Sequence, residues 1–290
     1  CYVSGRFYDQ DGIYRVGDER YKQYNVRAKG NIRIRPWLLL NNNMDFTVVD
    51  YHQPMLYYSL QLPQRMIEHG GQPINPITNP DGTWTYAAVL NGYAGFAEGS
   101  SYQQDDKFTM KDKLGIEIDV VKDVLKISGD LSYLFARNKR ERVTNMYTGY
   151  RGPDTPITVN ESQGSTLENL RQDTNYLSSN IYGEYTPKLG DDHTLKLLAG
   201  WNLETKKYRG TTIKREGLTV PSKPSFGLMD GLTSDPVVSG YDWSYVGAFF
   251  RANYGYQGKY LAEFSCRYDG SSKFPENSKW GFFPSASIGW

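Results

Sequence analysis

Histidine, cysteine and closely set carboxylates are the residue types that most often carry covalent or metal chemistry, and in this chain they are few and scattered. His52, His69 and His193 lie far apart at no metal-ligand spacing and read as solvated residues in or beside loops. Cys1 and Cys266 stand near opposite ends. Two isolated cysteines make no metal site and read as small strand residues; a disulfide between them and a lipid-bearing Cys1 are the rival readings. Asp105-Asp106 and Asp191-Asp192 are adjacent pairs. Neighbouring strand residues point apart, so neither pair is an acid/base couple, and both read as solvated loop charge. Asp9-Gln10-Asp11-Gly12 opens like a calcium loop but lacks the later glutamate and reads as turn chemistry. No nucleophile elbow, phosphate loop or Cys-x-x-Cys occurs. The residues therefore point to no catalytic group, no metal and no cofactor.

What remains is recognition through aromatic faces and charge. Trp84, Tyr86 and Tyr93, with Phe96 and Tyr102 nearby, crowd one irregular stretch. Such rings stack on the apolar faces of sugars or on peptide side chains, although they also fold loops together. Arg137-Asn138-Lys139-Arg140-Glu141-Arg142 is the one basic run. It reads as a solvated strand extension, with anionic lipid head groups or an acidic partner as the alternative.

The elements that would position these residues are strands. The 290 residues include 24 Tyr against 3 His and 2 Cys, and tyrosine suits half-buried pleated surfaces. A formal net charge of +1 creates no field that would recruit nucleic acid. Mean hydropathy is −0.62, and no run of about eighteen apolar residues offers a spanning helix. A transmembrane β-barrel escapes that objection, because only alternate strand residues meet lipid.

Alternation recurs along the chain. Val3, Gly5 and Phe7; Tyr24, Val26, Ala28 and Ile32; Leu114, Ile116, Ile118 and Val120; and Leu195, Leu197, Ala199 and Trp201 each interleave with polar residues. The most regular stretch is the last, where Tyr260, Ala262, Phe264, Cys266 and Tyr268 oppose Glu263, Ser265, Arg267 and Asp269. A returning run sets Trp280, Phe282, Pro284, Ala286 and Ile288 against Gly281, Ser285 and Ser287, with Phe283 as the exception. Asp269-Gly270-Ser271-Ser272 between them reads as a turn without a ligand role. Long polar connections over 51–106, 144–171 and 210–240 alternate with short ones near Ile34, Lys122, Gly190 and Gln257. In an antiparallel sheet this sorting puts every long loop on one rim. A short helix is predicted near Leu60 to His69.

About ten strands are predicted, long enough to pass the roughly 9 to 11 residues that cross a bilayer, with Tyr or Trp near their ends. The predicted fold is all-β, an antiparallel transmembrane barrel segment. Arg27, Glu117, Asp119, Glu263 and Arg267 on the polar face suit a wide wet or plugged lumen better than a narrow packed one. Cys1 opens directly into a strand pattern, so the chain reads as an internal stretch of a longer protein. A soluble β-rich carbohydrate- or protein-binding module, and a surface glycosidase, are the rival readings.

Arg267-Tyr268-Asp269-Gly270-Ser271-Ser272-Lys273-Phe274, followed by Lys279-Trp280-Gly281-Phe282-Phe283-Pro284-Ser285-Ala286-Ser287-Ile288-Gly289-Trp290, resembles the signature hairpin of the SusC/RagA family of TonB-dependent outer-membrane transporters. Tyr2-Val3-Ser4-Gly5, Tyr8 to Ile13, Arg20-Tyr21 and Pro36-Trp37-Leu38 add a second match near the other end. The resemblance implies that residues 1–290 are part of the β-barrel domain of such a receptor, with the plug domain and further strands lying outside this chain. It implies a barrel of about twenty-two strands in the outer membrane of a Gram-negative bacterium. It also implies energy drawn through TonB, a SusD-like surface lipoprotein as partner, and import of oligosaccharides or peptides. On that reading Trp84, Tyr86 and Tyr93 contact substrate, and Arg27, Glu117, Asp119, Glu263 and Arg267 face the lumen or the plug.

Overall fold

The computed structural model describes residues 1–55, 74–152, 155–159 and 164–290. The strands are β1 (Tyr2–Asp11), β2 (Arg20–Arg35), β3 (Leu38–Pro54), β4 (Tyr102–Val121), β5 (Leu125–Thr144), β6 (Tyr147–Tyr150), β7 (Pro156–Val159), β8 (Thr166–Tyr185), β9 (His193–Glu216), β10 (Val237–Tyr256), β11 (Tyr260–Ser271) and β12 (Trp280–Gly289). Ten of them form one sheet in the order β1-β2-β3-β4-β5-β8-β9-β10-β11-β12, and β6 and β7 make a separate hairpin. Every pairing is antiparallel between neighbours. The sheet is an open wall, with β1 and β12 as its edges.

Alternation becomes two continuous surfaces because paired residues share a face. One transverse row runs Ile32, Leu40, Ile116, Gly129, Ile181, Trp201, Ala248, Tyr268, Phe282. The row one residue away, on the other face, runs Asn31, Asn41, Gly115, Asp130, Asn180, Asn202, Gly247, Asp269, Gly281. The first is apolar apart from glycine; the second is amide, carboxylate and glycine throughout.

A soluble sandwich would cover the apolar surface with a second layer. Here Ile181 is 51% exposed, Tyr268 49% and Phe282 59%, so the apolar face needs an apolar solvent. The buried clusters lie elsewhere. Val143, Leu167, Leu218 and Met229 pack with Tyr102 and Phe226, and Val89, Ala94 and Tyr147 pack with Trp84. Both sit among the long connections and not against the wall's midline.

The short turns lie on one rim. Tyr256-Gln257-Gly258-Lys259 closes with Lys259 N–H donating to the Tyr256 carbonyl at 3.0 Å. Gln257 and Gly258 take φ of 53° and 63°, the doubly left-handed turn that matches strand twist. The β4–β5 turn closes from Val124 N–H to the Val121 carbonyl at 3.0 Å, with Asp123 at φ 60°, a conformation aspartate tolerates. Turn positions also drift along the ladder. The row through Leu38 and Ile118 lies beside the β2–β3 turn, yet the same row reaches Phe250 and Cys266 well inside β10 and β11. That stagger is what tilted strands in a barrel wall require.

Some expectations need correction. Asp269 and Gly270 are strand residues of β11, paired with Gly281 and Trp280, and the connection follows them at 272–279. The long connections are shorter than expected, since β3 continues to Pro54, β4 begins at Tyr102 and β9 reaches Glu216. Helices α1 (Tyr86–Leu90) and α2 (Tyr93–Glu98) occupy part of the first one; the helix predicted near Leu60 to His69 lies outside the described residues. Phe283 breaks the polar pattern because its ring lies over Gly281, where an added Cβ would come within 2.8 Å of it.

Gly247 gives the sharpest test of the polar row. A Cβ there would meet Asp269 Oδ1 at 2.2 Å and Asn202 Oδ1 at 2.7 Å, whereas at Gly5 the nearest atom is a carbonyl oxygen at 4.0 Å. Gly247→Val should cost about 2 kcal/mol by overpacking and lower the folded fraction of the full-length protein, read by heat-modifiable electrophoretic mobility. Gly5→Val should leave that fraction unchanged.

Candidate functional site

Two features of the described chain carry recognition chemistry: the polar face of the wall, and the loop cluster at its long-loop end. On the polar face, the Arg267 guanidinium donates to Asp269 Oδ1 at 3.1 Å, Tyr245 Oη at 3.0 Å and Asn202 Oδ1 at 3.2 Å, and it lies over the Phe249 ring at 5.5 Å. One side chain thus ties β9, β10 and β11 together. Asn180 donates to Asp130 at 3.0 Å, which also faces Lys113 at 3.4 Å. Nearer the short turns, Lys126 pairs with Glu117, Lys196 with Glu184, and Arg251 with Glu263. The face is therefore lined with fixed hydrogen-bonding groups of both charges, suited to holding polar chain or polar solute and not to a dry core.

At the long-loop end, the polar face carries a buried chain of contacts. Asp105 is 3% exposed; it accepts from Arg140 Nε at 2.8 Å and from Gln103 Nε2 at 2.7 Å. Arg142 donates to Gln103 at 2.9 Å and faces Glu168 at 3.5 Å. Above this, Ser101 Oγ accepts from Asn145 N–H at 2.8 Å and from the Tyr147 hydroxyl at 2.9 Å. Ser100 Oγ lies 3.0 Å from the same hydroxyl. Burial is the leading influence on the Tyr147 phenol and holds its pKa above the ordinary value.

Tyr147 also fills the space over α2, where a Cβ on Gly95 would meet its ring at 2.8 Å. Thr85 caps α1 by accepting from Ala88 N–H at 3.1 Å, and its hydroxyl donates to the Pro76 carbonyl at 2.7 Å. Trp84 donates its indole N–H to Glu98 and meets Tyr93 edge to face at 6.1 Å between centroids. The Arg151 guanidinium covers the Tyr86 ring at 4.5 Å. Tyr150 N–H donates to the Trp84 carbonyl at 2.9 Å, and Tyr14 from the β1–β2 connection meets Phe96 at 5.5 Å. Three connections converge on one aromatic cluster.

The sequence and the fold have counterparts. TonB-dependent receptor P26 of Formosa agariphila is 23% identical over 303 aligned residues, covering 100% of this chain and 28% of its own length. TonB-dependent receptor P3 of the same organism is 32% identical over 148 residues, covering 50% of this chain and 14% of its own. TonB-dependent receptor SusC of Bacteroides thetaiotaomicron is 47% identical over 45 residues, covering 16% of this chain and 4% of its own. A solved structure of the RagAB peptide importer in its open-open state superposes with a TM-score of 0.73 at 17% identity, over 98% of this chain and 31% of that one. The chain is SusC/RagA-like. It spans at most 28% of the length of these curated relatives, and no protein-family model matches it.

Within this SusC/RagA-like wall, Arg27, Glu117, Asp119, Glu263 and Arg267 all fall on the polar face. They are dispersed and not gathered. Glu117 and Arg267 share one row, Glu117-Ser128-Tyr182-Gly200-Phe249-Arg267. Arg27 donates to Asn43 at 3.2 Å. Trp84, Tyr86 and Tyr93 lie in the loop cluster, each half-buried.

Other residues behave differently from expectation. His52 is in β3, its ring 5.1 Å from Tyr102, and His193 begins β9, with Nδ1 2.7 Å from Tyr254 Oη; His69 lies outside the described residues. Asp105 and Asp106 are strand residues and not loop charge. The basic run divides by face, with Arg140 and Arg142 inward on Asp105 and Gln103 while Arg137 and Lys139 point the other way. Sequence reasoning weighed Asp105 and Arg140 separately and missed their contact, and it missed Tyr147. The alternation within 137–142 carried the signal for the split; the partners across β4 and β5 did not show.

The raised Tyr147 pKa sets a pH window. A folded-state value above the ordinary 10.0 means that the stabilisation from the neutral phenol is whole below pH 10 and is lost as pH rises through the raised value. Hydrogen-exchange protection of residues 85–98 in the full-length protein, corrected for the base-catalysed intrinsic rate, should be flat to about pH 10 and fall beyond it. Tyr147→Phe should weaken the cluster by about 1 kcal/mol and abolish the alkaline step.

Proposed function

We propose that this chain forms part of the barrel wall and outer loops of an outer-membrane import receptor of a Gram-negative bacterium. The observation that carries this reading is the pair of adjacent rows, one apolar and exposed, the other amide, carboxylate and glycine, with every long connection on one rim. The apolar row faces lipid. The polar row, with Arg27, Glu117, Asp119, Glu263 and Arg267, lines the lumen or meets a plug domain. Residues 1–290 are barrel-domain residues on this reading, joined in the whole protein by further strands that pair with the edges of β1 and β12.

The long-loop rim faces the cell exterior, where Trp84, Tyr86 and Tyr93 contact an oligosaccharide or a peptide. The partly exposed rings and the charged polar face support such a solute, since ring faces stack and fixed dipoles bind amide or hydroxyl groups. RagAB, the fold counterpart, is a peptide importer. Passage is energised through TonB, a SusD-like surface lipoprotein covers the rim, and binding followed by gated passage needs no covalent chemistry.

Uptake of labelled oligopeptides and oligosaccharides by cells carrying the full-length gene tests this. Uptake of one class should vanish on deletion of the gene and on deletion of tonB. Trp84→Ala with Tyr93→Ala should raise the half-saturating concentration roughly thirtyfold for two lost stacking contacts of about 1 kcal/mol each. Unchanged uptake after gene deletion, or a full-length protein monodisperse without detergent, would sink the reading.

A further inference from the structure

The apolar face changes character part-way along the wall. On β5 it reads Ile127, Gly129, Leu131, Tyr133 and Phe135 and then, with no break in the strand, Arg137 and Lys139. The ladder carries that change sideways. Phe135 pairs with Asn175, Arg137 with Asp173 and Lys139 with Arg171; Asn175 pairs with Lys207 and Asp173 with Arg209; and Lys207 pairs with Asp242. Arg137, Lys139, Arg171, Lys207 and Arg209 therefore share one outward surface on β5, β8 and β9, directly beyond the apolar band and on the long-loop side. The Arg137 guanidinium lies over the Phe135 ring at 5.2 Å, at the edge where the two zones meet.

The carboxylates on this surface do not cancel the cations. Asp173 sits between Arg137 at 2.7 Å and Arg171 at 3.1 Å, and Asp242 faces Arg209 at 2.5 Å. Asp106 pairs with Lys139 in the ladder and accepts from Gln104 at 2.9 Å. Glu141, the next outward residue of β5, accepts from the Tyr102 hydroxyl at 2.8 Å. Lys139 and Lys207 are exposed and form no ion pair among the described residues, and Arg171 keeps 55% of its side chain exposed. At the matching height on β1 to β4 the outward row is Asp9, Lys22, Asp50 and Asp106, predominantly acidic. Solvation alone has no preference of sign, yet the cations gather on one sector at the end of the apolar band.

We propose that the outward face of β5, β8 and β9 binds the phosphorylated head group of an outer-leaflet lipid, with Lys139 and Lys207 as its free cations and the exposed, Asp173-paired Arg171 beside them. Acyl chains would lie against Leu131, Tyr133, Leu177 and Leu203 below. Each Lys or Arg near an anionic lipid surface contributes on the order of 1 kcal/mol, and the attraction is screened by salt. The proposal rests on the barrel reading above.

The test uses the full-length receptor in neutral detergent. Its probes are purified lipopolysaccharide, the same material dephosphorylated, and inorganic phosphate. Lipopolysaccharide should bind, weaken as salt rises, and bind about thirtyfold less well to the Lys139→Gln/Lys207→Gln variant. Lys206→Gln, on the opposite face of β9, should bind as the parent does. Dephosphorylated material should bind as weakly to the parent as intact material does to the double variant. Equal binding by the double variant, equal binding of dephosphorylated material, or displacement of lipopolysaccharide by inorganic phosphate at matched phosphate concentration would each overturn the proposal. A protein monodisperse without detergent would instead overturn the barrel reading, so the two failures are distinguishable.

Discussion

A slip of one residue between any two neighbouring strands would turn every side chain beyond it to the opposite face, because side chains alternate with a period of two. In this wall that slip would set Asn31, Asp130 and Asn202 against the surface that carries Ile32, Ile181 and Trp201. An apolar solvent on one side penalises buried polar groups by several kcal/mol each and leaves the backbone no partner outside the ladder. The same solvent requirement fixes register across all ten strands at once. Glycine enters where that register brings large polar side chains together: Asn41 leans over Gly115, and Asn202 and Asp269 lean over Gly247. The glycines of the polar row make room for the amides and carboxylates beside them.

A wall built in this way has no conventional core, so packing energy collects at its long-loop end. Val143 and Leu167, at the ends of β5 and β8, are covered by Leu218 and Met229 from the β9–β10 connection, and Val89 and Ala94 close over Tyr147. Burying each such side chain contributes about 1.5 to 3 kcal/mol. The described parts of these loops are consequently folded, and Trp84, Tyr93 and Tyr147 hold defined positions relative to the strands below.

The faces were legible because period-two alternation survives in every strand, including the placement of Glu117, Asp119, Glu263 and Arg267 on one side. The ends of strands were less so. Asp269-Gly270 has turn composition, yet in β11 Asp269 serves as the partner of Arg267 and Gly270 leaves space for the Trp280 ring, 2.7 Å from where a Cβ would stand. Helices α1 and α2 are only 5 and 6 residues long, too short for a helical period to repeat. The contact between Asp105 and Arg140 depends on strand pairing across a hairpin, which composition does not encode. Tyr147 looked like any loop tyrosine, since its burial comes from α2 and Ser101, distant in sequence.

The long-loop cluster and the polar face are joined through continuous contacts. Glu168 and Gln103 fix Arg142, Gln103 and Arg140 fix Asp105, Ser101 follows two residues before Gln103, and Tyr147 on Ser101 carries α2 and the Trp84–Tyr93 pair. The links are hydrogen bonds, one ion pair, a ring contact and a step of two residues along β4's approach, so loosening one removes partners from the next. These contacts fasten the loop cluster to β4, β5 and β8. Mere spatial continuity does not establish transmission. What the continuity does supply is a rigid mount, in which the rings that would meet a solute first are fixed to the strands that would line its path.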